Sequence, residues 1–211
     1  MFLIPTRNRP ECMKELIEAC VISGQVPDAA VLIDGDPEPY KGIRWPKNWT
    51  VGVADRHMEM IGATNELLRR NPGREWYGFL NDRARPVTEG WADRLVEASK
   101  GGWANCKSLG RNPRTGRVRM KDGVYSAKVV ETLGWFFPPF LVHFFGDDVL
   151  EEVLQEAGKW VQTDVEIEEK PVAKLPRVFK GRPYWDDDRL AFAAWDRSAE
   201  KQELIERVRA C

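Results

Sequence analysis

The stretch GFLNDRARP, residues 78–86, sets one acid against two bases where an apolar run stops. Residues 76–80 read as a buried strand, so Asp82 stands where that strand leaves its sheet. Arg83 follows at once and Arg85 comes two residues later. A carboxylate beside guanidinium groups at a strand end suits an anionic ligand. Two other apolar runs end in similar clusters. Pro5, Thr6, Arg7 and Arg9 follow the first, and Asp34 opens a DGDP turn after the second. Further on, Asp147 and Asp148 begin the segment GDDVLEEVLQEAG, where acids in a first helical turn complement the helix dipole. Residues 107–121 include Arg111, Arg114, Arg117 and Arg119 and contain no acid. Such a run suits a phosphate backbone, and it is equally the composition of a solvated loop.

These clusters need elements to place them. Residues 1–4 form an apolar run closed by Pro5. Pro10 opens a helix carrying Met13, Leu16, Ile17 and Cys20 at helical spacing, and Ser23-Gly24 ends it. Residues 29–33 and 49–53 read as strands, and Met60, Ile61, Thr64, Leu67 and Leu68 as a helix. Residues 76–80 make a fourth strand and residues 90–99 a helix. Strands that are apolar throughout and alternate with helices predict a mostly parallel sheet covered on both faces. In such a sheet ligands bind beyond the carboxyl ends of the strands, where the three polar clusters fall. The second half is less regular. Asp122-Gly123 predicts a hairpin turn, Ser126 an N-cap for a helix over 126–133 with Gly134 as its stop, residues 161–167 a late strand, and residues 186–209 one terminal helix.

Composition narrows the class. The 211 residues are 43% hydrophobic and 31% charged with net charge -1, which excludes a disordered chain and a general polyanion binder. Nine Trp favour a ring-shaped ligand as well as a core. The four cysteines form no C-x-x-C pair, and the apolar N-terminal run is too short for a signal peptide or membrane span, so a reduced, cytoplasmic protein is the expectation. No Gly-rich phosphate loop of the usual patterns occurs.

The segments FLIPTRNRPECMKELIEAC, VLIDGD, WYGFLNDRARPVTEGW and LGWFFPPFLVHFFGDD, in that order, resemble nucleotide-sugar glycosyltransferases of the GT-A fold. The likeness is to the small single-domain kind related to glycosyltransferase family 2 and common in phages and bacteria; YWDDDRLAFAAW resembles the tail of such phage proteins. The resemblance implies an α/β, Rossmann-like single domain, with 1–160 holding donor and acceptor and a strand and helix in 161–211 packing on it. It implies a UDP-sugar donor held by Pro5, Thr6, Arg7 and Arg9, by Asp34 at the base, and by Asn65. The family's Asp-x-Asp motif falls on Asn81-Asp82-Arg83, which keeps one acid. Asp82 would then hold ribose or a divalent metal, Mn or Mg, while Arg83 or Arg85 offsets leaving-group charge. Asp147, or Asp148 after it, would be the base. His143 is the candidate to complete a metal shell, with Glu168 as a substitute ligand. His57 has no constellation around it in the sequence.

The acceptor is the least determined part. The basic run, with Arg69, Arg70 and Arg74, and Trp135, Phe136 and Phe137 as stacking surfaces, suits a hydroxymethylated pyrimidine such as 5-hydroxymethylcytosine in double-stranded phage DNA. A glycan, lipid-linked or protein acceptor is the alternative, and a non-catalytic nucleotide-sugar or nucleic-acid binding module is the third reading. The expected location is cytoplasm, that of a bacterial host if the chain is phage-encoded.

Overall fold

In the computed structural model, residues 1–169 and 184–211 are described. Nine strands, seven α-helices and one short 3-10 helix, Glu38–Tyr40, occur among them: β1 Phe2–Thr6, α1 Pro10–Ile22, β2 Ala29–Ile33, β3 Trp49–Val53, α2 Glu59–Arg70, β4 Trp76–Phe79, β5 Ala84–Pro86, α3 Trp91–Ala98, β6 Trp103–Asn105, β7 Gly123–Ser126, α4 Ala127–Leu133, α5 Gly146–Glu156, β8 Trp160–Gln162, β9 Ile167–Glu169, α6 Trp185–Asp196 and α7 Ala199–Ala210. A seven-stranded sheet runs in the order β3-β2-β1-β4-β7-β6-β8, and β5 pairs with β9 in a separate ribbon. Only β7 runs against its neighbours in the large sheet, pairing antiparallel with β4 and β6. The fold is the expected α/β class, with a mostly parallel sheet.

Alternation within the strands explains the two-sided cover. Phe2 and Ile4 join Met13 and Leu16 of α1 and Trp91 and Leu95 of α3 in one core cluster. Leu3 and Leu32 point to the other face, which α2, α4, α5 and α7 cover. The C-terminal helices belong to that second core: Phe192, Trp195, Leu204, Ile205 and Val208 are buried in it. Close packing fixes some residue choices outright. A Cβ on Gly78 of β4 would lie 2.3 Å from the Phe2 ring, and one on Gly123 would lie 2.3 Å from the Ala104 carbonyl.

Several local expectations are corrected. Asp122-Gly123 makes no hairpin turn, because Gly123 pairs with both Phe79 and Asn105 inside the sheet. The late strand is split: β8 and β9 flank residues 163–166, and each joins a different sheet. The terminal helix is also two. The chain breaks at Ser198, whose backbone is extended, with φ -85 and ψ 156, and whose hydroxyl donates to the Trp195 carbonyl at 2.7 Å. That break folds α7 back against α4 and α5. Ser126 occupies the N-cap of α4 without a side-chain capping bond, and Gly134 ends the helix at φ 78. Residues 170–183 of the expected C-terminal region lie outside the described residues.

Candidate functional site

The carboxyl ends of β1, β2 and β4 open on a cleft of about 390 Å³. Pro5, Thr6, Arg7, Arg9, Asp34, Asp82, Arg83 and His143 of the sequence-derived set line it. The β1–α1 loop reaches the cleft because Pro10, which lacks an N–H, starts α1 directly after Arg9. The positive end of the α1 dipole therefore points at the site.

Asp82 is the centre of a hydrogen-bonded chain and is only 3% exposed. Arg9 Nη1 donates to its Oδ1 at 3.0 Å, and Thr6 Oγ1 donates to its Oδ2 at 3.0 Å. Because Thr6 gives its hydrogen to Asp82, the Tyr40 hydroxyl supplies the hydrogen of the 3.1 Å Thr6–Tyr40 bond. Tyr40 in turn accepts from the Arg9 backbone N at 2.9 Å. Tyr40, from the short helix Glu38–Tyr40 and 2% exposed, had no signal in the sequence beyond its aromatic type.

Asp34 has both oxygens engaged at the start of α2. Oδ1 accepts from Met58 N at 3.0 Å and Oδ2 from Glu59 N at 3.1 Å, while His57 Nδ1 lies 2.8 Å from Oδ2. His57, given no role in the sequence, thus braces the site from outside the cleft lining, while Glu59 lines the cleft itself. His57 Nε2 is 2.5 Å from Glu59 Oε1, Arg7 Nη1 is 3.1 Å from the same oxygen, and His143 Nδ1 is 3.1 Å from Glu59 Oε2. Burial pushes the Glu59 carboxyl up, but the bond from His57 and the neighbouring His143 and Arg7 hold it below the usual range. Glu59 and Asn8 both take left-handed backbone, at φ 56 and 55. Strain of that kind persists where surroundings over-determine it, and here both residues line the cleft.

The strand-end motif folds into a tight turn. Asn81 Oδ1 accepts from Arg83 N at 3.0 Å and from Arg83 Nε at 3.4 Å. Asn81 N donates at 2.6 Å to Asp122 Oδ1, and Asp122 is 1% exposed with its Oδ2 unpartnered. Desolvation pushes Asp122 up to about 7 against the pull of the Asn81 N–H. Arg83 faces the cleft, but Arg85 does not: its Nη2 donates to Glu15 Oε2 at 2.6 Å on α1. Glu168 pairs with Arg85 in the β5–β9 ribbon and is not part of the cleft lining.

Asn65 is corrected as a donor contact. Its Nδ2 donates to the Phe137 carbonyl at 2.8 Å, and its Oδ1 accepts from Phe136 N and Phe137 N, so it is spent on holding that turn. Phe136 and Phe137 are core residues, and Trp135 lines a separate groove with Pro139, Phe140 and Trp195. The basic run is largely neutralised within the chain. Arg114 pairs with Glu152 and Asp196, and Arg117 with Glu156 at 2.9 Å, so neither is free for a phosphate backbone. Arg111 Nη1 is turned to the Gly116 carbonyl, and Arg119 acts on Asp147. Asp147 and Asp148 open α5 and do not line the cleft. Asp148 accepts from Asn112 Nδ2 at 2.5 Å, and desolvation followed by Asp148 pushes Asp147 up to about 6. The segment carrying His143 is fastened by Asp188 of α6, which accepts from the N–H groups of Val142, His143 and Phe144 at 2.7 to 2.8 Å.

A divalent cation needs several carboxylate or imidazole donors at one point. Asp82 is held by Arg9 and Thr6, the His143 ring nitrogen sits beside Glu59, and Arg83, a cation, lines the cleft next to Asp82. Among the described residues no three His, Cys, Asp or Glu side chains are grouped to hold a metal ion. The donor set anticipated from Asp82, His143 and Glu168 therefore does not form. Nor is any helix among the described residues long and apolar enough to cross a membrane.

No protein-family model and no curated protein matches the chain. Solved structures do. The mannosyltransferase PcManGT of Pyrobaculum calidifontis, in complex with GDP-Man and Mn2+, matches at TM-score 0.62 and 16% identity over 98% of this chain and 67% of that one. S. aureus TarS 1-349 in complex with UDP matches at TM-score 0.56 and 15% identity over 77% of this chain and 57% of that one. GalNAc-T7 with UDP, GalNAc and Mn2+ matches at TM-score 0.58 and 10% identity over 78% and 44%. These neighbours are GT-A fold glycosyltransferases, and at such identity the fold is what they share with this chain. The chain spans roughly half to two thirds of their length.

Proposed function

We propose that this chain, with its GT-A-like sheet, transfers a sugar from a nucleotide-sugar donor to a hydroxyl acceptor. The observation that carries the reading is the cleft at the ends of β1, β2 and β4, where one buried acid, Asp82, is wired to Thr6 and Arg9 beside Arg7 and Arg83. Asp82 is the acceptor for a ribose hydroxyl, using lone pairs left over after its two bonds. Asp34 shapes the base end of the cleft by fixing the start of α2. The arginines face the diphosphate.

In the reaction the acceptor oxygen forms a bond to the anomeric carbon. The bond from that carbon to the diphosphate oxygen breaks, and its electron pair leaves with the nucleoside diphosphate. The acceptor proton passes to a carboxylate, and we assign that role to Asp147, which stands outside the donor cleft at the start of α5, four residues after His143, and whose carboxyl desolvation raises to about 6. It opens α5 just after the segment that brings His143 into the cleft.

The hydroxymethylpyrimidine acceptor suggested by the basic run loses support from the ion pairs of Arg114 and Arg117. A glycan or another small hydroxyl acceptor is the reading we favour. The test is mass analysis after incubation with UDP- and GDP-sugars, offering oligosaccharides and hydroxymethylated duplexes separately as acceptors. A hexose-sized gain on an oligosaccharide supports the reading. A gain only on duplex restores the DNA acceptor, and neither transfer nor donor hydrolysis leaves a binding module.

A further inference from the structure

We infer that the cleft meets a donor diphosphate with arginine side chains in place of a divalent cation. The inference rests on the nucleotide-sugar reading and adds how that site holds its ligand. Three observations converge. First, the buried acid at the end of β4 is already neutralised, since Arg9 bonds Asp82 Oδ1 at 3.0 Å while Asp82 is 3% exposed, and Asp34, the buried acid after β2, has both oxygens taken by Met58 N, Glu59 N and His57. A metal ion on Asp82 would crowd a second cation onto a single buried carboxylate or expel Arg9. Second, the position where a partner acid would stand is Arg83. Its backbone N and Nε are clamped to Asn81 Oδ1, and Asn81 N is clamped to buried Asp122. The cationic side chain is thus built into the turn. Its contact with Glu169 is long, at 3.5 Å, and partly exposed, so a phosphate can displace it.

Third, donors remain to be used. In Arg7 and Arg9 only Nη1 is engaged among the described residues, and both side chains are close to half exposed on the cleft wall. A guanidinium carries five N–H donors in a planar fork that fits phosphate oxygens two at a time. The α1 N-terminus adds its positive dipole end from the same loop. As the anomeric bond breaks, charge grows on the diphosphate oxygen, and fixed guanidinium groups there stabilise it without a metal.

Calorimetric binding of UDP and GDP separates the outcomes, because it needs no acceptor and no turnover. Wild-type protein is titrated with each nucleotide in EDTA and in Mn2+. The expected result is an affinity that changes less than about threefold between the two and falls steeply with added salt. Arg83→Ala should weaken binding about tenfold or more in EDTA, and Arg83→Lys should retain part of it. Arg83→Asp places a second acid beside Asp82; it should lose binding in EDTA and recover some of it with Mn2+. Circular dichroism confirms that each variant is folded. A wild type that binds more than about tenfold tighter with Mn2+, or an Arg83→Ala protein that binds unchanged, overturns the inference while leaving the donor reading in place. Binding of neither nucleotide under either condition overturns the donor reading itself.

Discussion

Asp122→Asn tests the reasoning about the strand-end turn most directly. Asp122 is buried, one oxygen takes the Asn81 N–H at 2.6 Å, and the other has no partner. Desolvation lifts its carboxyl from the usual 3.8 to about 7. Between those values the native protein keeps a proton that the unfolded chain has released. Unfolding therefore releases a proton in this window, and stability falls as pH rises, by roughly 1.4 kcal/mol per pH unit. The loss accumulates to about 4 kcal/mol by pH 7 and then stops, because both states are ionised above it. Asparagine keeps the acceptor for Asn81 N but cannot ionise, and its amide nitrogen costs about 1–3 kcal/mol as a buried donor at every pH. Relative to wild type, the variant should gain about 3 kcal/mol between pH 5 and pH 7 and no more beyond it, ending the more stable of the two by pH 8. Glu151 and Asp147, also raised, contribute the same slope to both proteins and cancel in the difference. Urea unfolding followed by tryptophan fluorescence at pH 5, 6, 7 and 8 reads that difference. A difference that stays constant across the four pH values would refute the argument.

Three further outcomes are expected. Asp147→Asn should lower kcat about 100-fold or more with nucleotide affinity unchanged, and equal kcat in variant and wild type would remove Asp147 as the base. Thr6→Val leaves Asp82 Oδ2 and Tyr40 without their shared partner, so it should cost about 1–3 kcal/mol in urea unfolding and weaken UDP binding in calorimetry. Asp188→Ala strands the N–H groups of Val142, His143 and Phe144 and should destabilise by about 3 kcal/mol or more; a loss under about 1 kcal/mol in the same unfolding assay would show that this segment is held otherwise.

The first half of the chain was legible because its signals are local. Pro10, the helical spacing of Met13, Leu16 and Cys20, and the DGDP turn each act within a few residues, and the strands they bound fell where expected. The polar clusters at three strand ends were legible for the same reason, since sheet topology sends those ends to one edge. His57 was not legible. Glu59 is near it in the chain, but Asp34 follows β2 and Arg7 lies in the β1–α1 loop, and the parallel pairing of β1, β2 and β3 is what brings those two to it.

The basic run shows the same limit from the other side. Its acid-free composition is a property of residues 107–121, while its neutrality is a property of α5 and α6, which carry Glu152, Glu156 and Asp196. Asn65 likewise carries a polar type suited to a ligand, yet packing sets it against the backbone of residues 136–137, whose buried N–H and C=O groups need partners. The sequence by itself determined the α/β pattern, the clustering of polar residues beyond the strands, and the Asn81-Asp82-Arg83 order at the end of the fourth strand. The tertiary structure alone decided which charges are spent and which remain. A charge's availability depends on what lies within a few ångströms in space, and folding places there residues that the sequence holds far apart.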